Sequence, residues 1–297
     1  MVSDPIAQRA AIALALTLAG TATCRVPVAL AAQSARAVSG DLFAANISGD
    51  DISYYDGRTG AAKGPFVARR SGGLFRPTGL AFGPDGDLYV SSSGNGRVLR
   101  YDGTSGAFLG VAVDDGELER PFSVAFGPGG RLYVSSLDRV LRYDARSGTF
   151  LGVAAEADGL RQPIGLAFGP DGTLYVANSA GGNVMRFDPT TGASLGVFAS
   201  DSLRFPSDVA FGPDGALHVS SAAGAAVVRF DEDGSFDGYA ARLPGGSAPV
   251  GIAFDAAGRL LIADFAGGRL FAAGQDGAAE LVASEGLRGP ENIAVRP

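Results

Sequence analysis

One proline recurs along this chain at almost constant intervals, and the residues that follow it recur with it. RPTGLAFGPDGDLYVSS runs from Arg76, RPFSVAFGPGGRLYVSS from Arg120, QPIGLAFGPDGTLYVAN from Gln162, FPSDVAFGPDGALHVSS from Phe205 and APVGIAFDAAGRLLIAD from Ala248. Pro77, Pro121, Pro163, Pro206 and Pro249 lie 44, 42, 43 and 43 residues apart. A unit of this length holds four short strands, and it cannot bury its apolar face alone, so neighbouring units must stack.

Side-chain alternation and turn residues divide a unit into strands. In the second unit they fall at roughly 78–82, 88–92, 97–102 and 108–113. Gly83-Pro84-Asp85-Gly86 joins the first two: proline presets one turn torsion and glycine accepts a positive φ. Asp102 to Gly106 joins the last two, and Asp56 to Gly60, Asp144 to Gly148 and Asp188 to Gly192 match it. The aspartate there satisfies backbone N–H groups while the glycine turns the chain.

The ends are complementary. Leu42 to Asp56 aligns without gaps on Leu88 to Asp102, so the repeats begin at a second strand. Gly289 to Val295 matches a first strand, with Pro290 placed 41 residues after Pro249. An open solenoid needs polar caps, whereas two partial units that sum to one imply a ring closed by pairing the ends. The expected fold is an all-β, six-bladed β-propeller of four-stranded antiparallel blades. Its repeats lie near 76–119, 120–161, 162–204, 205–247 and 248–288, and its closing blade is 41–75 plus 289–297. Alanine recurs at one inner-strand position (Ala81, Ala125, Ala167, Ala210, Ala253, Ala294), and phenylalanine follows it in five units, so a small face should meet a large one between blades.

Residues 1–37 read as a signal peptide and short leader: Arg9 precedes the apolar run Ala10 to Gly20, and Ala29-Leu30-Ala31 suits a signal peptidase. The run is too short to span a bilayer, and a secreted or periplasmic location is expected. Thr23 before the single cysteine, Cys24, disfavours a lipoprotein, and one cysteine allows no internal disulfide. The net charge of −7, with no basic run, argues against nucleic acid. A monomer is expected.

The anchoring proline, the Asp-Gly turn and the YVA(D/N) strand of Pro163 to Asn178 resemble NHL-type repeats. The likeness extends over roughly residues 40–297 and reaches six-bladed propellers of the senescence marker protein/gluconolactonase group, with the seven-bladed streptogramin B lyases more distant. It implies a fold rather than an activity. In the gluconolactonase-like group the resemblance would imply a divalent cation, usually calcium, at the channel mouth. The matching positions here are Thr78, Phe122, Ile164, Ser207, Val250 and Glu291, of which only Glu291 is a carboxylate, whereas a hard cation needs several oxygens. Asp208, Asn292 and Asp264 stand nearby; their side chains should point to the opposite strand face, where they either hydrogen-bond loop backbone or build a rearranged metal site with Glu291.

His218 is the sole histidine and stands where other units have tyrosine, which favours a packing role. The streptogramin B lyase resemblance would imply histidine-assisted elimination with magnesium, and a Ser-His-Asp triad would also need this residue. Small polar residues end the second strand of every unit (Asn46, Ser92, Ser136, Asn178, Ser221, Asp264), and six copies favour a structural role. Arg100, Arg142, Arg186 and Arg229 are expected to pair with acidic turns between blades. Two functions remain: a non-catalytic module binding a protein, peptide, glycan or small molecule through Arg76, Thr78, Arg120, Gln162, Ser207, Glu291 and the neighbouring Phe205, or a lactonase-like hydrolase with a rearranged metal site.

Overall fold

A computed structural model describes residues 37–274 and 277–297. The expected signal segment, with Cys24 and the Ala29-Leu30-Ala31 cleavage site, lies outside the described residues. Six four-stranded antiparallel sheets form the blades. The second blade comprises Pro77–Phe82, Leu88–Ser92, Arg97–Tyr101 and Phe108–Val113, and the inner strands of the third to sixth are Pro121–Phe126, Pro163–Phe168, Pro206–Phe211 and Pro249–Phe254. The third strand stops at Tyr101 because the Asp102 carboxylate accepts N–H groups from Thr104 and Ser105, at 3.1 and 2.7 Å, and turns the chain. Among the described residues no helix is long and apolar enough to cross a membrane.

Closure comes from the ends. Pro290–Val295 pairs antiparallel with Leu42–Asn46, Leu42 facing Val295 and Ala44 facing Ile293, and with Asp51–Tyr55 and Ala62–Val67 completes the first blade. Each inner strand touches those of both neighbouring blades, and the cycle closes between the sixth and first.

Aromatic pairs hold the blades face to face. Tyr89 meets Phe126 of the next blade edge-on at 4.9 Å between centroids, Tyr133 meets Phe168 at 4.8 Å, Tyr175 meets Phe211 at 4.9 Å, and Phe43 meets Phe82 at 5.2 Å. The recurrent inner-strand phenylalanine therefore docks on the second strand of the preceding blade, and each such pair contributes about 0.5–1.5 kcal/mol beyond its buried area. His218 fills the tyrosine place in this series, 4.9 Å from Phe254 at 76°. Between the sixth and first blades the equivalent residues are Leu261 and Val295, packed in a largely aliphatic cluster that also holds Tyr55.

Two expectations change. Arg100 pairs with Asp85 and Asp87, and Arg229 with Asp214 and Asp237, within their own blades. Arg142 does reach the next blade, but it donates to the Pro189 and Thr190 carbonyls rather than to an acid. The third-strand arginine lies over the first hairpin of its own blade, so an acidic residue there captures it.

The second change concerns strand alternation. Pro77 pairs with Ser92 and Leu80 with Val90, so Thr78 and Gly79 together oppose Ser91; the same bulge follows the proline in the third to sixth blades. Such a bulge brings two successive residues toward one side.

Removing Gly289–Pro297 exposes the apolar edge of Leu42–Asn46 and should abolish the cooperative thermal transition in calorimetry. His218→Tyr should keep the interblade pair with Phe254 and add a hydroxyl near Asp214, as that of Tyr89 is near Asp85, raising stability in urea by about 0.5–1 kcal/mol.

Candidate functional site

The bulge after each proline builds the channel mouth. Thr78, Phe122, Ile164, Ser207, Val250 and Glu291 line it as the repeat predicts, but the next residues Ser123, Gly165, Asp208 and Asn292 line it too. The expectation that Asp208 and Asn292 face away is thereby corrected: simple alternation does not hold across a bulge. The cavity is about 30 Å³, room for a water or two, against the several hundred Å³ that an enclosed ligand requires.

Around the ring the second residue after the proline alternates: Gly79, Ser123, Gly165, Asp208, Gly251, Asn292. Each glycine yields its space to a neighbour. A Cβ on Gly251 would lie 2.6 Å from the Asn292 Cα, and one on Gly165 would overlap Asp208. Two of the side chains at the alternate positions bind the next blade. Asn292 accepts the Leu80 N–H at 3.2 Å, and Asp208 accepts the Ile252 N–H at 3.0 Å as well as the Asn292 amide at 3.3 Å. These two residues thus hold inner strands together rather than loops.

Burial raises the Asp208 carboxyl to about 7, against the pull of the N–H groups of Ile252 and Val209 and the Asn292 amide. Burial likewise raises Glu291 to about 7, with Arg76 drawing it back. Glu291 has no hydrogen-bond partner among the described residues. Thr78 Oγ1 donates to the Pro121 carbonyl at 2.9 Å, and Ser207 Oγ donates to the Phe205 carbonyl at 3.2 Å, so neither hydroxyl proton is free for a ligand.

Asp264 stands apart from this set. It is buried at the end of its strand, accepting from Arg269 at 2.7 Å and from the Ala248 N–H at 2.9 Å. The same place in the other blades closes the same loop: Ser92 accepts the Phe75 N–H, Ser136 that of Glu119, Asn178 that of Arg161, Ser221 that of Arg204 and Asn46 that of Arg288. Among the described residues no group of three or more His, Cys, Asp or Glu side chains could hold a metal. Glu291 and Asp208 share the mouth, but Asp208 spends its oxygens on donors and Asp264 is tied elsewhere, so these residues do not fit a cation cage.

These loop contacts have a consequence that strand counting does not reveal. Where the capped N–H belongs to the residue two before the proline, the residue in between turns left-handed: Arg76 (φ 54°), Arg120 (φ 50°), Gln162 (φ 57°), Phe205 (φ 53°) and Gly289 (φ 64°). In the sixth blade the cap falls on Ala248 itself, and that residue escapes the strain. Glycine is at ease in this conformation; other residues lose roughly 1–2 kcal/mol each. The four bulky residues are exposed, Phe205 at 59%.

The sequence pattern of the virginiamycin B lyase family matches residues 69–283. Among solved structures the chain is similar to a catalytically inactive His-to-Ala variant of virginiamycin B lyase from Staphylococcus aureus with quinupristin, at 15% identity and a TM-score of 0.64, covering 90% of this chain and 94% of that one. A chain of a nidogen/laminin complex gives a TM-score of 0.71 at 17% identity, covering 88% and 99%. A gluconolactonase from Xanthomonas campestris gives 0.60 at 24% identity, covering 73% and 77%. At these identities the likeness establishes the fold. Comparison with the curated proteins gives no match.

Because the folded values of Asp208 and Glu291 lie above the ordinary 3.8 and 4.5, both carboxyls favour the folded state when protonated. That contribution is complete below about pH 4 and is lost as pH rises through about 7. Urea unfolding from pH 4 to 8 should show a decline of several kcal/mol, up to about 7, from these groups, and Asp208→Asn should remove about half of it.

Proposed function

The chain belongs to the virginiamycin B lyase family, and we propose that within it this protein is a non-catalytic, extracytoplasmic binding module whose partner sits on the channel-mouth face. One observation carries the reading. Arg76, Arg120, Gln162 and Phe205 hold a left-handed backbone in the open, where glycine would relieve the strain and where the closing blade has Gly289. Largely exposed side chains kept at such a cost fit a surface shaped for contact. The size of the cavity agrees: a partner must lie over the mouth rather than inside it.

The lyase chemistry of the family lacks its residue at this mouth. The S. aureus enzyme is catalytically inactive as a His-to-Ala variant, whereas the sole histidine here is buried against Phe254, with Nδ1 3.2 Å from the Ala216 carbonyl. A second reading, a lactone hydrolase, draws its support from Glu291 and Asp208, two carboxyls in one mouth raised to the range where a group both gives and takes protons. A divalent cation such as calcium would have to polarise the lactone carbonyl, and the residues present do not form its cage.

Gluconolactone and quinupristin, each assayed with calcium, magnesium, zinc and manganese, should show no turnover. Metal-dependent turnover abolished by Glu291→Gln would overturn the binding reading. Arg120→Gly and Phe205→Gly should leave stability unchanged or raise it by up to about 1 kcal/mol; a loss above about 2 kcal/mol would make those side chains structural.

A further inference from the structure

The arginines of this protein divide into two populations. Most are engaged: Arg97, Arg100, Arg139, Arg229, Arg259 and Arg269 form ion pairs, and Arg142 and Arg296 hold backbone carbonyls. In the loops that lead into the inner strands both kinds occur: Arg69 and Arg70 pair with Asp50, but others are left over. Arg76, Arg120, Arg161 and Arg204 are exposed, and among the described residues none makes an ion pair, although Glu119, Asp158 and Asp201 lie in the same loops. Arg120 lies over the ring of Phe122 at 5.8 Å, and Arg76 is attracted to Glu291 without a direct contact. On a chain of net charge −7, unpaired guanidinium groups gathered at one mouth are not a by-product of composition.

The loops that carry them are held firmly. Ser93 donates to the Arg76 carbonyl, Ala180 to that of Arg161 and Ala223 to that of Arg204, at 3.1 Å in each case. Exposed phenylalanines stand among the arginines: Phe75 at 39%, Phe205 at 59% and Phe265 at 40%.

We infer that the mouth binds an acidic peptide segment of a partner protein in which carboxylates are interspersed with apolar side chains. The inference rests on the binding-module reading and deepens it. Guanidinium groups pair with carboxylates through charge-assisted, often bidentate hydrogen bonds, and they are poised to do so where no internal carboxylate holds them. The interruptions select the class of partner. A uniform polyanion would meet Glu119 and Asp201 and find bare phenyl rings with no hydrogen-bonding group, whereas a peptide of mixed character places apolar side chains on those rings and its acids on the arginines. Fixed loops lower the ordering cost of binding.

Fluorescence anisotropy with labelled alternating peptides of Glu and Leu, of Gln and Leu and of Lys and Leu tests this, with polygalacturonate as competitor. The Glu peptide should bind, weaken several-fold between low and physiological salt, and weaken ~10-fold or more in the double variant Arg76→Glu, Arg120→Glu; the Lys peptide should not bind. Equal binding of the Gln and Glu peptides, lost on Phe205→Gly, would overturn the charge inference and leave the mouth as a binding surface. Displacement by polygalacturonate at lower concentrations than by unlabelled Glu peptide would assign the mouth to an anionic glycan instead. Binding unaffected by the arginine pair and by Phe205→Gly, or no binding of any probe, would overturn the peptide inference; in the former case the mouth reading would fall with it. Circular dichroism of each variant separates these outcomes from misfolding.

Discussion

The pairing of Pro290–Val295 with Leu42–Asn46 is the interaction on which the rest of this molecule depends. Every other blade is one continuous stretch of chain; in the first the chain is discontinuous between Pro290–Val295 and Leu42–Asn46, and on the side facing the sixth blade Leu261 and Val295 stand where the other interfaces have an aromatic or histidine pair. Backbone hydrogen bonds between distant ends therefore close the ring, at the entropic cost of bringing together residues some 250 positions apart in sequence. The same strand carries Glu291 and Asn292, so the mouth is complete only in the closed ring. A partly buried carboxyl without a hydrogen-bond partner thus sits on the strand that secures the fold.

Much of this architecture was legible in the sequence because turn chemistry is local. Gly83-Pro84-Asp85-Gly86 and the Asp102 loop announce their bends from residue type alone, and the complementary ends give the blade count by alignment. The packing role of His218 was legible for the same reason, since it occupies a tyrosine place. What was not legible depends on register. The bulge after the proline is a relation between two strands, and without it Asp208 is assigned to the wrong face. The left-handed backbone at Arg76, Arg120, Gln162 and Phe205 was hidden because a residue before proline is ordinarily extended; only Gly289, at the equivalent place in the closing blade, hinted at it.

The mouth and the blades obey different physics. Between blades, side chains are chosen for volume, and a phenylalanine on one inner strand finds an aromatic ring on the blade before it. At the mouth, backbone is chosen first: a side-chain cap on one N–H turns the next residue left-handed and throws its side chain into solvent. The exposed residues before the prolines are thereby mounted on the most regular hydrogen bonds of the repeat.

The alternation of glycine with Ser123, Asp208 and Asn292 at the second residue after the proline makes two blades, not one, the unit that closes the centre of the ring. A Cβ at each of these glycines would run into the inner strand of the following blade. The pairing of blades at the centre is thus written at a position that none of the single repeats reveals.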